Sequence, residues 1–308
     1  MARISARRAP DGEPETRRRD ALTASSLRQR LESGAPMVAV ELRPPRAGLA
    51  AAQSLESWID TYHSVRRLAE RDTLVFFTDS AVGQGEEQSL FHLDANLGPS
   101  AKRERLVPFL TCKHTLDYCL RFAQRAASQR YPGLVVLGGD RFDAVARCVP
   151  HANELRRLIR AKVPGLMLGA WVNPHRDPQQ QVDFLLRLEG PADFYLSQIV
   201  SHYQLDAVER FLEQAAERGL SLPGIFGVFF YRSARPDSLR ELGRYFPVPA
   251  AAVAADWAGG IRGEEICART VRGLRGLGIT RVYLSNLGSR ATEARLDRIL
   301  QLVDGAEP

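Results

Sequence analysis

Cysteine is scarce in this chain of 308 residues, and the few thiols follow no recognisable framework. None of the four cysteines forms a CxxC pair or has the spacing of a disulfide scaffold: Cys112, Cys119, Cys148 and Cys267. The run Cys112-Lys113-His114 with Cys119 downstream matches no common structural zinc site. We therefore expect free thiols in a reducing compartment and no metal site.

Long apolar runs and several familiar motifs are missing as well. No stretch of 18 apolar residues offers a helical membrane span, and no basic-then-apolar leader starts the chain. These absences predict a cytoplasmic protein without a membrane partner. No GxGxxG follows a first strand, and no GxSxG elbow is present, which argues against an open dinucleotide-binding sheet and a serine hydrolase.

Lysine is nearly absent, so arginine carries almost all of the positive charge. The net charge is +6 and the pI is near 9.4, which suggests anionic partners, although the base composition of the genome would also explain the arginines. The arginines are spread along the chain among acids, a pattern that does not favour a nucleic-acid surface. Residues 1–20 are rich in Arg, Pro and acids and predict a disordered basic arm, with its role left open between partner contact and simple solvation.

After this arm, short apolar runs alternate with amphipathic stretches. The runs are four to eight residues long and rich in branched or aromatic residues, as expected of strands buried on both faces: Met37–Leu42, Thr73–Thr78, Leu106–Thr111, Leu134–Leu137, Leu166–Val172, Asp193–Val200, Ile225–Phe230 and Arg281–Ser285. Helices are predicted between them: Ser54–Glu70, Thr115–Ser128, Asn153–Lys162, Gln179–Glu189, Leu205–Arg218 and Gly263–Leu277. The alternation predicts an α/β fold, a single-domain (β/α)₈ TIM barrel over residues 21–308, with a short helix from Ala21 to about Glu32 closing its bottom. A doubly wound open sheet is the alternative.

Polar residues cluster where the predicted strands end. In such a barrel the active site is built from these carboxyl ends and the loops that follow. A polar ring is therefore predicted around one mouth of the barrel: Glu41, Thr78, Asp79, Thr111, His114, Gly138, Gly139, Asp140, Asn173, His175, Gln198, Tyr231, Arg232, Ser285 and Asn286.

Glu41 is the most informative of these residues, because it is an acid inside an apolar strand that Pro44 and Pro45 terminate. Burial of an unpaired carboxylate raises its pKa, which is what a general acid near neutrality requires. The alternative is a structural ion pair with an inward-facing arginine. The Gly138-Gly139-Asp140 run has two interpretations as well: a close approach of the backbone to a ligand, or a simple chain reversal. Trp171 is either a core residue or a surface on which a flat ring stacks.

Taken in order, five motifs resemble those of the methylenetetrahydrofolate reductase family. The resemblance spans residues 37 to about 290, and each motif lies at the expected strand. The motifs are Glu41-Leu42-Arg43-Pro44-Pro45-Arg46, Leu110-Thr111-Cys112, Gly139-Asp140, Ala170-Trp171-Val172-Asn173-Pro174, and Pro191-Ala192-Asp193-Phe194 with Ser197-Gln198.

The resemblance implies an oxidoreductase of one-carbon metabolism and methionine biosynthesis. Such an enzyme reduces 5,10-methylenetetrahydrofolate to 5-methyltetrahydrofolate with hydride from NAD(P)H, carried by a bound FAD. By this resemblance Glu41 and Asp140 are catalytic, with Glu41 protonating the folate nitrogen and Asp140 near flavin and pterin. Gln198 hydrogen-bonds the pterin edge beside them. The cofactor site is expected at Thr78, Thr111, Gly138, Gly139, Asp140, Ala170, Trp171, Asn173 and Arg187.

The chain also departs from the family pattern near the flavin. Phe109 stands where the family has histidine, Gly138 where it has arginine, and Trp171 and Asn173 where many members have tyrosine and histidine. These changes remove polar contacts to the flavin and its phosphates. Three alternatives therefore stay open: direct hydride transfer from nicotinamide to folate, a folate-binding barrel without redox activity, and a methyl-transferring enzyme. The choice of NADH or NADPH and a homo-oligomeric state are left open too.

Overall fold

Eight parallel strands close into a barrel in the computed structural model, which describes residues 27–45, 48–78, 102–139 and 146–305. The strands neighbour each other in chain order, and the last one pairs with the first. This confirms the predicted (β/α)₈ fold. The strands are β1 Met37–Leu42, β2 Val75–Phe77, β3 Leu106–Thr111, β4 Gly133–Leu137, β5 Met167–Val172, β6 Phe194–Val200, β7 Gly224–Phe229 and β8 Arg281–Ser285.

Helices surround the strands. The bounds of the helices that have a strong apolar stripe agree with the predicted bounds to within a few residues. They are α1 Ala51–Glu70, α2 Leu116–Ser128, α3 Ala152–Lys162, α4 Pro178–Leu186, α5 Leu205–Glu217, α6 Pro236–Leu242, α7 Ala250–Ala258, α8 Gly263–Gly276 and α9 Thr292–Asp304. The prediction did not name α6, α7 or α9. Within the described part of the chain, no helix is both long and apolar enough to cross a bilayer.

The strands bury both faces, which accounts for their continuous apolar runs. One set of side chains points into the barrel and includes Phe76, Phe109 and Tyr283. The alternating set, which includes Val75 and Leu110, packs against the surrounding helices. The core therefore has an inner and an outer layer separated by the strand backbones.

A short helix closes the amino-terminal end of the barrel. Residues 27–32 are helical, and Leu27 and Leu31 are buried against Met37 and Leu74. The guanidinium of Arg281 donates from Nη2 to the carbonyl of Leu31 at 2.8 Å and fixes the helix to β8. The prediction of a helix at this end is confirmed for these residues, whereas its start at 21–26 and the arm at 1–20 lie outside the described residues.

Candidate active site

A cavity of about 710 Å³ opens at the carboxyl ends of the strands. This volume lies within the usual range for cavities that hold small organic ligands. Eight of the residues given a catalytic, substrate or cofactor role line it together: Glu41, Thr78, Gly138, Gly139, Ala170, Trp171, Arg187 and Gln198. The fold therefore gathers side chains that are up to 157 positions apart in the sequence, from 41 to 198. Arg232, Ser285 and Asn286 of the predicted polar ring line the cavity as well.

Three of the residues that were given a catalytic, substrate or cofactor role are not part of this lining. Thr111 is fully buried in β3. Asn173 stabilises a turn, since its Oδ1 accepts from the backbone N–H of His175 at 3.1 Å while its own N–H donates to Gln181 Oε1 at 2.8 Å. Asp140 lies outside the described residues. The ligand roles given to these three positions stay predictions.

Glu41 lies at the top of β1, and its side chain is only 6% exposed. Its carboxylate Oε1 lies 3.5 Å from Nε of Arg43, whose side chain is 45% exposed. Burial, and then the negative charge of Glu41, raise the pKa of the Tyr283 hydroxyl inside the barrel. The carboxylate therefore lies between the barrel interior and the cavity. The arginine beside it is largely exposed, unlike the inward-facing arginine of a structural pair.

Four aromatic rings form a floor beneath the mouth. Phe76 packs against Phe109 and Tyr283 at centroid distances of 6.1 and 5.9 Å, and Trp171 packs against the same two rings at 6.0 and 6.5 Å. The hydroxyl of Tyr283 donates to the carbonyl of Ser197 at 2.7 Å, which fixes that ring. Phe109, Trp171 and Tyr283 also line the cavity. Trp171 thus packs against neighbouring rings and also faces the cavity. Its role as a surface on which a flat ring stacks stays a prediction.

Gln198 is held in place by the backbone at an irregular point of β6, where the register with β7 shifts between Leu196 and Ile199. Its Oε1 accepts from the backbone N–H of Ile199 at 2.9 Å, and its Nε2 donates to the carbonyl of Tyr245 at 3.3 Å. A primary amide has two N–H groups and two lone pairs, so one of each remains for a ligand. The side chain can present a fixed donor–acceptor edge to the cavity.

The close approach predicted at Gly138 and Gly139 is made by protein side chains. Arg147 donates from Nη2 to the carbonyl of Gly139 at 2.6 Å, and its Nη1 would lie 3.2 Å from a Cβ at Gly138. A Cβ at Gly139 would lie 2.6 Å from Cε of Lys113, and Gly139 has a φ of +75°. The positive φ favours glycine at 139, whereas the flexible chain of Lys113 could move away from a Cβ. Two cationic side chains therefore occupy the space beside this glycine pair.

Sequence reasoning missed Arg156, which lines the cavity from the beginning of α3. The side chain is 5% exposed, and burial lowers its pKa to about 10. One signal was present in the sequence: Arg156 directly follows Leu155 and precedes Ile159 by three positions, which places it on the buried stripe of the helix. It is one of three arginines within residues 156–160, and only the apolar stripe of the helix indicates which of the three is buried.

Metal-ligand and thiol chemistry receive little support from the described residues. Within them, no group of three or more His, Cys, Asp or Glu side chains comes together. Burial raises the pKa of the Cys112 thiol to about 12, so this sulfur is protonated at neutral pH. A buried thiol of this kind behaves as a small apolar group.

The fold and cavity define the chain as a (β/α)₈ barrel with a cavity at its mouth. No protein-family model matches the sequence, and no curated protein matches it. Among solved structures it is similar to an uncharacterized protein from Clostridium thermocellum described as binding two copies of 5-methyl-5,6,7,8-tetrahydrofolic acid. That match has 14% identity and a TM-score of 0.66, covering 91% of this chain and 98% of the other.

A second similar structure is an F420-dependent secondary alcohol dehydrogenase in complex with an F420-acetone adduct. It has 11% identity and a TM-score of 0.54, and the match covers 87% of this chain and 99% of that one. At these identities the likeness establishes the shared barrel fold.

Proposed function

We propose that the cavity binds a reduced folate and that the protein reduces 5,10-methylenetetrahydrofolate to 5-methyltetrahydrofolate with hydride from NAD(P)H. The observation that carries the proposal is Glu41, a carboxyl group at the boundary between the barrel interior and a cavity with an aromatic floor. The structural neighbour that binds 5-methyltetrahydrofolic acid supports it, because that compound is the product of this reaction.

The proposed reaction needs an acid where Glu41 lies. Opening the five-membered ring of methylenetetrahydrofolate breaks a C–N bond, leaves an iminium carbon and requires a proton on the departing nitrogen. Glu41 donates that proton, and hydride then adds to the iminium carbon to form the methyl group. One proton and one hydride are consumed, and NAD(P)⁺ is released. Arg43, at 3.5 Å, compensates the carboxylate charge that remains after transfer.

Binding of the pterin is assigned to the floor and to Gln198. The floor of Phe109, Trp171 and Tyr283 offers a flat apolar contact, and the remaining N–H and lone pair of Gln198 match the alternating donors and acceptors of a pterin edge. Together these groups orient the reacting carbon, which is the larger part of what an enzyme supplies to a hydride transfer between bound partners.

The cavity also fits FAD by its chemistry. Its floor is aromatic, and part of its wall contains Arg156 and Arg187, so it accommodates a flat ring that has a negatively charged portion. When bound, FAD carries hydride from nicotinamide to folate. Trp171 would pack against its ring system, and Arg187 would contact its anionic portion. Direct transfer from nicotinamide to folate is the variant that the family departures at Phe109 and Gly138 motivate.

A second candidate is a folate-binding barrel without redox activity. It is motivated by the structural neighbour, whose description states folate binding alone. Glu41 has a use in both candidates, because a carboxylate accepts from the N–H groups of a pterin, but only the reductase needs it as a proton donor.

The test is nicotinamide oxidation by the purified full chain. NADH and NADPH are each followed at the nicotinamide absorbance band, with 5,10-methylenetetrahydrofolate present or absent and FAD added or omitted. A further arm supplies reduced F420 as hydride donor, because the second structural neighbour uses that cofactor. We expect oxidation that depends on the folate, with 5-methyltetrahydrofolate identified as product by mass spectrometry.

The arms separate the candidates. Folate-dependent oxidation without added flavin, from protein shown to be flavin-free, selects direct transfer, whereas dependence on FAD selects the flavin route. No oxidation in any arm by folded protein that binds 5-methyltetrahydrofolate overturns the reductase and leaves the binding protein. Absence of both activity and folate binding overturns the whole proposal.

A further inference from the structure

One part of the cavity is lined by the barrel wall and by two helices. Val136 and Ala170, whose side chains belong to the outer layer of the core, line this part together with residues from the start of α3 and the end of α4. We call it the lateral lobe. Its polar side chains are His151, Asn153, Arg156 and Arg187.

Arg156 is buried in the lateral lobe, and the described residues place no carboxylate against it. Its Nε donates to the carbonyl of Gly190 at 3.0 Å, and no carboxylate of the described residues forms an ion pair with it. The nearby Arg160 is different, because its Nη2 lies 2.6 Å from Oδ2 of Asp193. Burial first, and then the like charge of Arg160, lower the pKa of Arg156. An unpaired buried cation costs free energy, and an anion placed against it removes that cost.

The rest of the lobe has the same charge preference. Arg187 projects its guanidinium over the ring of Phe184 at 4.8 Å, a contact that leaves its N–H groups available at the edge. The first turn of α3 has no side-chain cap, so its backbone N–H groups add positive potential, which Glu154 in the same turn partly offsets without lining the cavity. The acids among the described residues that line the cavity are Glu41 and Glu241, and they come from β1 and α6, not from the lobe.

We propose that the lateral lobe binds the anionic end of an extended ligand and that Arg156 is the residue that recognises it. The ligand chemistry is an oxyanion group, either the phosphates of a dinucleotide or the glutamate carboxylates of a folate. This inference rests on the proposed function in one respect, because both proposals place the ring of the ligand at the mouth of the cavity. Binding in the lobe does not require turnover.

A purely structural role does not account for the charge on Arg156. The loop after α4 is held by two parallel contacts: Asn153 Nδ2 donates to the carbonyl of Glu189 at 3.3 Å, and Arg156 donates to that of Gly190. The first contact shows that a neutral amide suffices to hold a carbonyl of this loop. A guanidinium makes the same hydrogen bond but also buries a positive charge. Burial of that charge costs free energy unless an anion compensates it.

The experiment measures dissociation constants by calorimetry for the full chain and three variants. Arg156→Gln removes the charge, Arg156→Lys retains it, and Arg157→Gln removes the exposed charge of the next residue as a matched control. The probes are NADH, NADPH, FAD and 5-methyltetrahydrofolate with one or several glutamates. Each is paired with a fragment that lacks the anionic extension: reduced nicotinamide riboside, riboflavin and a 5-methyltetrahydropterin without the aminobenzoyl-glutamate.

We expect Arg156→Gln to weaken at least one complete ligand by about 10- to 100-fold, as loss of a charge-assisted hydrogen bond does, and to leave its truncated fragment within about twofold. Arg156→Lys should recover part of the loss, and Arg157→Gln should bind as the wild type. Loss for the dinucleotides alone identifies phosphate, and loss that grows with glutamate number identifies carboxylate.

Three results would overturn the inference. The first is equal weakening of complete ligand and fragment, which indicates a structural role for Arg156. The second is unchanged binding of every probe by Arg156→Gln. The third is a wild-type protein that binds none of the anionic probes at millimolar concentration. Each of these is independent of whether the protein reduces folate, since no turnover is measured.

Discussion

At the scale of single residues, Glu41 provides the sharpest test of the chemistry. Glu41→Gln keeps the size and hydrogen-bonding edge of the side chain but removes the transferable proton. We expect folate-dependent nicotinamide oxidation to fall by about 10²- to 10⁴-fold, the usual contribution of a general acid. The thermal transition should change little, because Gln can still bond Arg43.

Glu241→Gln is the matched control for this substitution. Glu241 also lines the cavity, and it pairs with Arg244 on the surface at 3.2 Å. A surface pair of this kind contributes little, so Glu241→Gln should keep nearly full activity. If Glu41→Gln is as active as Glu241→Gln, the acid role of Glu41 is refuted.

His202 gives a prediction for the pH dependence of stability. Its Nδ1 lies 3.0 Å from Oγ1 of Thr270. Burial lowers the pKa of His202 and is the largest cause of the shift. The positive charges of Arg269 and Arg272 lower this pKa further, whereas the negative charges of Asp256 and Glu265 raise it. A histidine whose folded pKa lies below the unfolded value of about 6.5 stabilises the fold above that pH. This contribution is lost as the pH falls through the folded pKa.

We therefore expect the free energy of unfolding to fall between about pH 7 and about pH 5, and to fall less steeply in His202→Gln. Urea denaturation at the two pH values measures both slopes. His63→Gln serves as control, because His63 is exposed on α1. Equal slopes for wild type and His202→Gln would show that this histidine does not contribute.

The residues of the site differ in how far the sequence could reveal them. Glu41 was recognisable because an acid interrupts an apolar strand, and its placement at the mouth follows from the barrel topology alone. Arg156 was not, because its position at the cavity depends on which of three nearby arginines faces inward and on the contact of its side chain with Gly190. Lys113 and Arg147 fill the space beside Gly139 by tertiary packing, which no local pattern encodes.

At the scale of elements, the connection after α4 departs from the predicted helix Gln179–Glu189. The helix ends at Leu186, and Arg187 is extended, because α3 holds the carbonyls of Glu189 and Gly190. The short helices α6 and α7 were missed for a related reason. Each has a single buried side chain, Leu239 and Val253 respectively, so neither shows an apolar stripe.

Gly190 should be the least replaceable residue of this connection. It has a φ of +70°, and a Cβ there would overlap the backbone carbonyl oxygen of Asn153. Gly190→Ala should cost about 2 kcal/mol or more of the free energy of unfolding. Gly165→Ala is the control, because Gly165 has ordinary φ and open space around it, so this change should be neutral or slightly stabilising. Chemical denaturation of both variants decides the point, and equal stability would contradict it.

At the scale of the whole molecule, the two ends of the barrel have separate tasks. The carboxyl ends of the strands surround the cavity, and the amino-terminal end is closed by Leu27 and Leu31. Leu31→Ala should lower the free energy of unfolding by about 2 to 4 kcal/mol, as other buried leucines do when truncated. Turnover and ligand dissociation constants at room temperature should stay at wild-type values, because the change is at the far end from the mouth.

A change in KM or kcat for Leu31→Ala without loss of stability would contradict this division. The comparison needs both denaturation and steady-state kinetics on the same preparation. Leu188→Ala is a useful control, since Leu188 is highly exposed and its truncation should not affect stability.

The aromatic floor has one further consequence, for how ligand occupancy can be observed. Of the three tryptophans, all within the described residues, Trp171 lines the cavity, whereas Trp58 packs on Phe77 in the outer layer and Trp257 lies under Arg262. A pterin, flavin or nicotinamide ring resting on the floor would quench the indole emission of Trp171 most strongly, because that indole ring is in direct contact with the ligand. The protein therefore contains its own fluorescent reporter, and a Trp171→Phe variant would assign the quenched signal.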